Sequence, residues 1–378
     1  MSLSLYLHIP FCEVKCGYCD FFSVARGFGD FDLQEQYVDA LIREIDQRAP
    51  AFSKRSILSI FFGGGTPSLL EPCLIERIFS SLQRHFLWDA KTEITLESNP
   101  KTVSLEKLSA FRSLGVNRLS IGVQSFQDRF LKTLGRIHTG EEAMRTIGDA
   151  REAGFENINF DLIYALPAQT FEDWRSDLEK ALSLETPHIS AYHLTIEEGT
   201  SFASLYKKGK IGLPAEEEGI RCLTWTRERC QARMEPYEIS NFSRAGFESV
   251  HNRNYWHYGE YLGFGTAAAS FVKTDRERTR QNNVRDLKKY LEGSWIGFAE
   301  TIDLPTAMGE FCMLGLRTRE GIRNEAFQKE FGISLSEVFP KQISHWTQRG
   351  WIESYAEGWR LTEEGILFAD EAAASFLP

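Results

Sequence analysis

HIPFCEVKCGYCDFF, residues 8–22, decides how the rest of the chain is read. Cys12, Cys16 and Cys19 lie within eight residues in the spacing C-x3-C-x2-C. Three thiolates this close concentrate negative charge that a metal or metal cluster offsets. A structural zinc takes four donors, typically from two CxxC-like pairs. Here the fourth would have to be His8 or Asp20, and there is no second pair. Three cysteines on one loop suit a [4Fe–4S] cluster with one iron left open for a further ligand. The loop follows the apolar run Leu3–Ile9, which places it at the C-terminal end of a first strand, where barrel active sites sit. The other four cysteines, Cys73, Cys222, Cys230 and Cys312, are scattered and read as small core residues. An odd total of seven argues against a disulfide framework and for a reducing compartment.

Outward from this loop, short apolar runs alternate with helical patterns. Strands are expected at Leu3–Ile9, Ile57–Phe62, Glu93–Glu97, Asn117–Ile121, Asn157–Ile163 and His188–His193. Leu33, Tyr37, Leu41 and Ile45 recur every four residues, one face of a helix. Ser104 reads as an N-cap, and Thr170 with Asp173 as a capping pair. Strand–helix alternation predicts a parallel sheet with right-handed crossovers. Six such units fit in about 200 residues, short of the ~250 of a closed eight-unit barrel, so the expectation is a partial (β/α)6 barrel. Ala215–Met234 reads as one long helix, and Lys273–Arg285 as a solvated hairpin tip or loop. From Asp303 a small helical module ends in strands, with Ile343–Trp351, Ile352–Ser354 and Trp359–Thr362 arranged like the helix and wing of a winged helix. The division expected is 1–235 for the core, 236–302 for a connecting β and aromatic region, and 303–378 for the module.

Composition bounds the partners. The chain has 378 residues, 42% hydrophobic and 25% charged, an ordinary globular balance. Its net charge of −10 disfavours nucleic acid and anionic membrane, and the module itself has seven Lys/Arg against twelve Asp/Glu. No apolar run reaches the ~20 residues of a membrane span. MSLSLYLHIPF lacks the basic region and cleavage site of a signal peptide, so a cytoplasmic protein is expected.

Strand ends carry the remaining chemistry. FFGGGTPS follows the second strand, and its three glycines allow close backbone approach and leave amides and carbonyls free for a ligand. Glu97 ends the third strand, Gln124 follows the fourth and Asp161 lies in the fifth. A carboxylate at such an end suits a ligand ammonium or ribose hydroxyls, though each alone could equally cap a helix. HNRNYW at 251–256 joins an imidazole, a common iron ligand, to the flat faces of Tyr255 and Trp256.

The C-x3-C-x-aromatic-C loop with Tyr18 before the third cysteine resembles the radical SAM superfamily. There the open iron binds S-adenosylmethionine (SAM), and the reduced cluster cleaves its sulfonium. YLHIPFC, GGGTPS, GVQSF, DLIYALPAQT, YEISNFS, HNRNYW and GLRTREGI resemble the oxygen-independent coproporphyrinogen oxidase group from residue 3 to about 370. The resemblance implies a cluster on Cys12, Cys16 and Cys19. It implies SAM contacts at Tyr6, Tyr18, Gly64, Gly65, Thr66, Glu97, Gln124, Arg136 and Asp161, some belonging to a second SAM in the group's oxidase. That oxidase has a longer N-terminal extension and a fourth cysteine where this chain has Phe21. HNxxYW instead matches the group's haem-chaperone branch, implying haem as a further cofactor at His251, Tyr255 and Trp256. That branch usually has a histidine where this chain has Ala269. The function implied is binding haem and passing it to an acceptor protein, by a monomer or homodimer. The alternatives are decarboxylation of coproporphyrinogen III and radical chemistry on another substrate.

Overall fold

The computed structural model describes residues 2–25, 30–53, 55–274 and 277–378. Six parallel strands follow one another in sequence order: Ser2–Ile9, Ser56–Gly64, Glu93–Ser98, Arg118–Gln124, Asn157–Tyr164 and His188–His193. They are the six runs read as strands, and together they form the expected partial barrel. Helices Phe31–Arg48, Pro72–His85, Leu105–Ser113, Gly140–Glu152 and Phe171–Ser183 cover them. The first buries Tyr37, Val38, Leu41 and Ile45 on one face. Ser104 accepts from the Lys107 amide, and Thr170 with Asp173 forms a reciprocal capping box, so each cap satisfies amides that a helix start leaves unpaired. The long helix after the sixth strand is Glu216–Cys230.

The sheet extends beyond the six units. Tyr261–Phe264 pairs parallel with the first strand, and Ala269–Lys273, Arg278–Asn283 and Ile296–Ile302 continue antiparallel from it. Asn241–Ser243 and Glu235–Pro236 extend the opposite edge, giving twelve strands among the described residues. Of the solvated hairpin tip or loop expected at Lys273–Arg285, the hairpin is present, but Arg278–Asn283 is corrected to an inner strand paired on both sides, and residues 275 and 276 lie outside the described residues. Three of the hairpin's cations are held in ion pairs. Lys273 and Arg278 both reach Glu330, and Arg280 reaches Glu300 and Glu310, tying this edge to the C-terminal module.

Glu44 anchors the same edge to the barrel. Fully buried, it accepts from the Gly265 amide at 2.8 Å, from Asn283 Nδ2 at 2.7 Å and from the Tyr290 hydroxyl at 2.6 Å, and it pairs with Arg48. The module starts with helix Leu304–Leu316, carries a three-stranded sheet of Ile322–Arg323, Gly358–Leu361 and Ile352–Tyr355 beside helix Pro340–Gln348, and ends in the short helix Ala369–Ala374 rather than in strands. Phe311, Phe327, Trp346 and Trp351 lie in its core, which Phe271 and Ile302 join from the sheet and Tyr258 from the turn before Tyr261–Phe264. Among the described residues no helix is long and apolar enough to cross a membrane.

Candidate cofactor site at the barrel mouth

The cysteine loop leaves the first strand and is pinned along its length. Gly17 donates to the Leu134 carbonyl at 3.2 Å, and its own carbonyl accepts from the Phe202 amide at 2.9 Å. His8, buried, uses both ring nitrogens: Nε2 on the Phe22 carbonyl at 2.8 Å and Nδ1 on the Tyr6 hydroxyl at 3.1 Å. Burial lowers its pKa to about 4, so the ring is neutral, and the carbonyl partner assigns the proton to Nε2. The glycine turn of the second strand presses against the same loop. Gly65 donates to the Ile9 carbonyl at 2.8 Å and Thr66 to that of Phe11 at 2.7 Å, while Gly64 donates to Glu97 Oε2 at 3.1 Å. All three amides are thus engaged within the protein, correcting the expectation that they stay free for a ligand. What the glycines supply is approach: a Cβ on Gly65 would lie 2.6 Å from the Phe11 carbonyl oxygen.

Cys12, Cys16 and Cys19 line one small cavity of about 60 Å³ with Gly64, Gly65, Thr66 and Arg136. Thr66 Oγ1 donates to Cys12 Sγ and Arg136 Nη1 to Cys16 Sγ, each at 3.6 Å. Burial pushes the Cys12 thiol up and that of Cys19 to about 11. Metal ligation would exchange those protons for iron. Among the described residues no three His, Cys, Asp or Glu side chains converge closely enough to hold a single ion. A closed zinc site needs four donors within roughly 2.0–2.3 Å of the metal. His8 has no free nitrogen and Asp20 is exposed to solvent. Three thiols spread around one cavity instead fit a polynuclear cluster, in which each sulfur meets its own iron.

The small cavity opens into a larger one of about 510 Å³ at the C-terminal ends of the strands. Tyr18, Gly64, Gly65, Thr66, Glu97, Gln124, Arg136 and Asp161 all line it, together with Cys19 and Phe21. Tyr6 does not: its ring lies against Phe61 and His251, with centroids 6.2 and 6.3 Å apart. Sequence reasoning missed Ser98, Asn99, Ser120, Tyr192, His193 and Thr195 on the same wall. Strand-end position could have found Ser98 and His193. Gln124 carries a left-handed φ of 70° as its strand breaks register, the kind of backbone strain that collects at ligand sites.

Charge in this cavity is unbalanced in an informative way. Burial and the nearby Asp161 carboxylate raise Glu97 to about 8. Burial also raises Asp161, despite a 2.9 Å bond from Asn159 Nδ2. Arg136 donates through Nη2 to the Gly122 carbonyl at 2.5 Å, while its Nε and the Ser98 hydroxyl are buried without a partner. Two buried carboxylates welcome a cation, and an incompletely satisfied arginine welcomes a carboxylate. The cavity therefore suits a ligand with cationic and carboxylate ends, and SAM, with a sulfonium and an amino-acid end, has that chemistry.

HNRNYW lies elsewhere. His251 is buried, with Nδ1 on Ser59 Oγ and Nε2 on the Tyr255 hydroxyl, both at 2.8 Å. Burial lowers its pKa to about 3. As placed, both of its ring nitrogens are engaged within the protein. The Tyr255 ring meets Tyr261 edge-on, and Trp256 lies under the Arg317 guanidinium, 5.0 Å from the ring centroid. Glu93 accepts from the Val250 and His251 amides at 3.0 Å each, capping this short helix against the third strand. Ala269 begins the strand Ala269–Lys273, opposite Asn282.

A strand-end cavity over three cysteines defines a radical SAM protein, and the Radical SAM superfamily pattern matches residues 6–181, with the HemN C-terminal domain matching 302–368. A protein named heme chaperone HemW from Haemophilus influenzae is 37% identical over 99% of this chain and 98% of its own length. Its namesake from Bacillus subtilis is 34% identical over 99% of both. The solved structure of coproporphyrinogen III oxidase HemN from Escherichia coli, described as a radical SAM enzyme, superposes with a TM-score of 0.85 at 26% identity, covering 99% of this chain and 90% of that one. The chain belongs to the HemW family.

Proposed function

We propose that this chain binds haem and delivers it to an acceptor protein while holding a [4Fe–4S] cluster and SAM at the barrel mouth. The observation that carries this reading is the end-to-end relationship with proteins named heme chaperone HemW. Cys12, Cys16 and Cys19 would hold the cluster. Glu97 and Asp161 would face the cationic groups of SAM, Arg136 its carboxylate, and Gln124, Tyr18 and the Gly64–Gly65–Thr66 turn the rest of the molecule. A reduced cluster held there would supply one electron to the SAM sulfonium. The protein's own part is to hold these groups in place and to keep water from the site. The iron ligand for haem is not assigned to His251.

The test is haem titration of anaerobically reconstituted protein, followed by mixing with apomyoglobin as acceptor. A shifted Soret band that passes to the acceptor supports the reading; absorbance indistinguishable from free haem overturns it. The likeness to HemN favours one second reading, oxidation of coproporphyrinogen III, against which Phe21 stands in place of a fourth cysteine. Protoporphyrinogen formed with SAM and reductant would establish it.

A further inference from the structure

A second opening adjoins the cofactor cavity on the outside of the barrel. It is a groove of about 580 Å³ between the sixth strand, the start of helix Glu216–Cys230 and the C-terminal module. Tyr192, His193 and Thr195 line both the groove and the cofactor cavity. Its apolar floor and walls are incompletely covered. Tyr192 is 38% exposed, Ile220 39%, and Leu367 and Phe368 36% each. Phe368 rests one face on Trp351, with centroids 3.7 Å apart, so its position is fixed by packing.

The lips are acidic. Glu216 stands on one side, and Asp370 and Glu371 on the other. Arg317 is the one cation on the wall among the described residues, and it is already paired with Asp370 at 3.3 Å. Acids in the first turn stabilise their own helices, and both sets occupy such turns. That accounts for the carboxylates and leaves the four exposed apolar side chains between them unexplained. An apolar floor between two negative rims is complementary to an amphipathic segment with cations along its edges. The same charge repels haem propionates, anionic lipid and a second copy presenting the same rims.

We infer that this groove is the docking site for a basic, amphipathic segment of a protein partner. If the haem-delivery reading holds, that partner is the acceptor, seated beside the cavity whose wall it shares. The docking itself does not depend on haem.

The test uses a fluorescein-labelled helical peptide about five turns long, with leucines at i, i+3, i+4 and i+7 and lysines elsewhere, and a twin with glutamates for lysines. Anisotropy against the full chain is expected to show the lysine peptide binding at least about tenfold tighter than its twin, with a loss on added salt. Phe368→Glu and Ile220→Glu are each expected to weaken binding by about tenfold. The double reversal Glu216→Lys/Asp370→Lys, at exposed positions that leave the core untouched, is expected to do the same. Glu106→Lys/Glu152→Lys, an equal change of net charge on the barrel's other helices, is expected to leave binding intact. Equal losses in both double reversals would reduce the effect to net charge and overturn the inference. So would unchanged binding in the groove variants. Haem titration and light scattering on the same variants separate the other occupants: a fall in haem affinity would make the groove a haem site, and loss of a dimer would make it a self-interface. Peptide binding that survives while the chain binds no haem would leave the groove standing and remove the haem reading.

Discussion

Glu97 offers the sharpest handle on the cofactor cavity. Its carboxyl titrates near 8 because it is buried beside Asp161. At pH 7 about a tenth of it is ionised, and at pH 9 about nine-tenths. A cationic ligand that needs the carboxylate must displace that proton. Its apparent affinity then rises about tenfold between pH 7 and 9, roughly 1.4 kcal/mol. The sign for folding is opposite. A carboxyl raised above its unfolded value contributes stability below about 4.5, and that contribution is lost as pH rises through about 8. The ligand-free protein therefore loses stability over the interval in which SAM binding strengthens. The SAM amino group itself titrates close to this range, so the measured quantity is the ratio of wild-type to Glu97→Gln affinity at each pH. Anaerobic equilibrium dialysis of radiolabelled SAM supplies it. The expected ratio climbs about tenfold from pH 7 to 9 and levels above. A flat ratio would mean that Glu97 does not face the ligand's charge.

Cys16→Ala, which removes one of the three thiols on the small cavity, is expected to abolish the cluster chromophore after reconstitution while the far-UV spectrum stays native. Gly65→Ala places a methyl 2.6 Å from a backbone oxygen that cannot move cheaply. It is expected to cost about 1–3 kcal/mol in urea unfolding and to weaken SAM binding with it. Tyr290→Phe removes a 2.6 Å bond to the buried Glu44, for an expected loss of about 1.5–3 kcal/mol by the same measurement. His251→Asn is expected to leave haem affinity unchanged in a Soret titration, because neither ring nitrogen is free. A large loss of affinity with both the fold and the reconstituted cluster chromophore intact would place an iron there after all.

The strands were legible because short, largely buried, apolar-rich runs alternate with helical patterns along the first half of the chain. Eight of the nine residues expected around SAM line one cavity, and Gly64, Gly65, Thr66, Glu97 and Gln124 among them were legible because they sit at or just past a strand's C-terminal end, where a parallel sheet gathers residues far apart in sequence. Arg136 was reachable only by resemblance, since nothing in its local pattern marks a buried guanidinium. The strand Arg278–Asn283 was hidden by its charges. Alternating Arg and polar residues look solvated until Glu300, Glu310 and Glu330 arrive from distant segments to neutralise them. His251 is a related case: the HNRNYW pattern sets an imidazole near two aromatics, and only the tertiary structure reveals that Ser59 of the second strand and Tyr255 engage its two ring nitrogens.

That histidine still bears on the cofactor. Glu93 fixes the helix that carries it, and His251 stacks on Phe61 with centroids 4.8 Å apart. Phe61 and His251 both flank Tyr6, whose hydroxyl reaches His8, and His8 holds the carbonyl of Phe22 where the cysteine loop ends. The chain of contacts runs from the HNRNYW segment through the first two strands to the loop that carries the thiols. Its links are hydrogen bonds and ring contacts between buried or half-buried groups, which have little room to adjust independently. The segment's demonstrable work in this fold is therefore to support the first two strands beneath the cofactor, and a requirement for it in haem handling would follow from that support without any bond between His251 and iron.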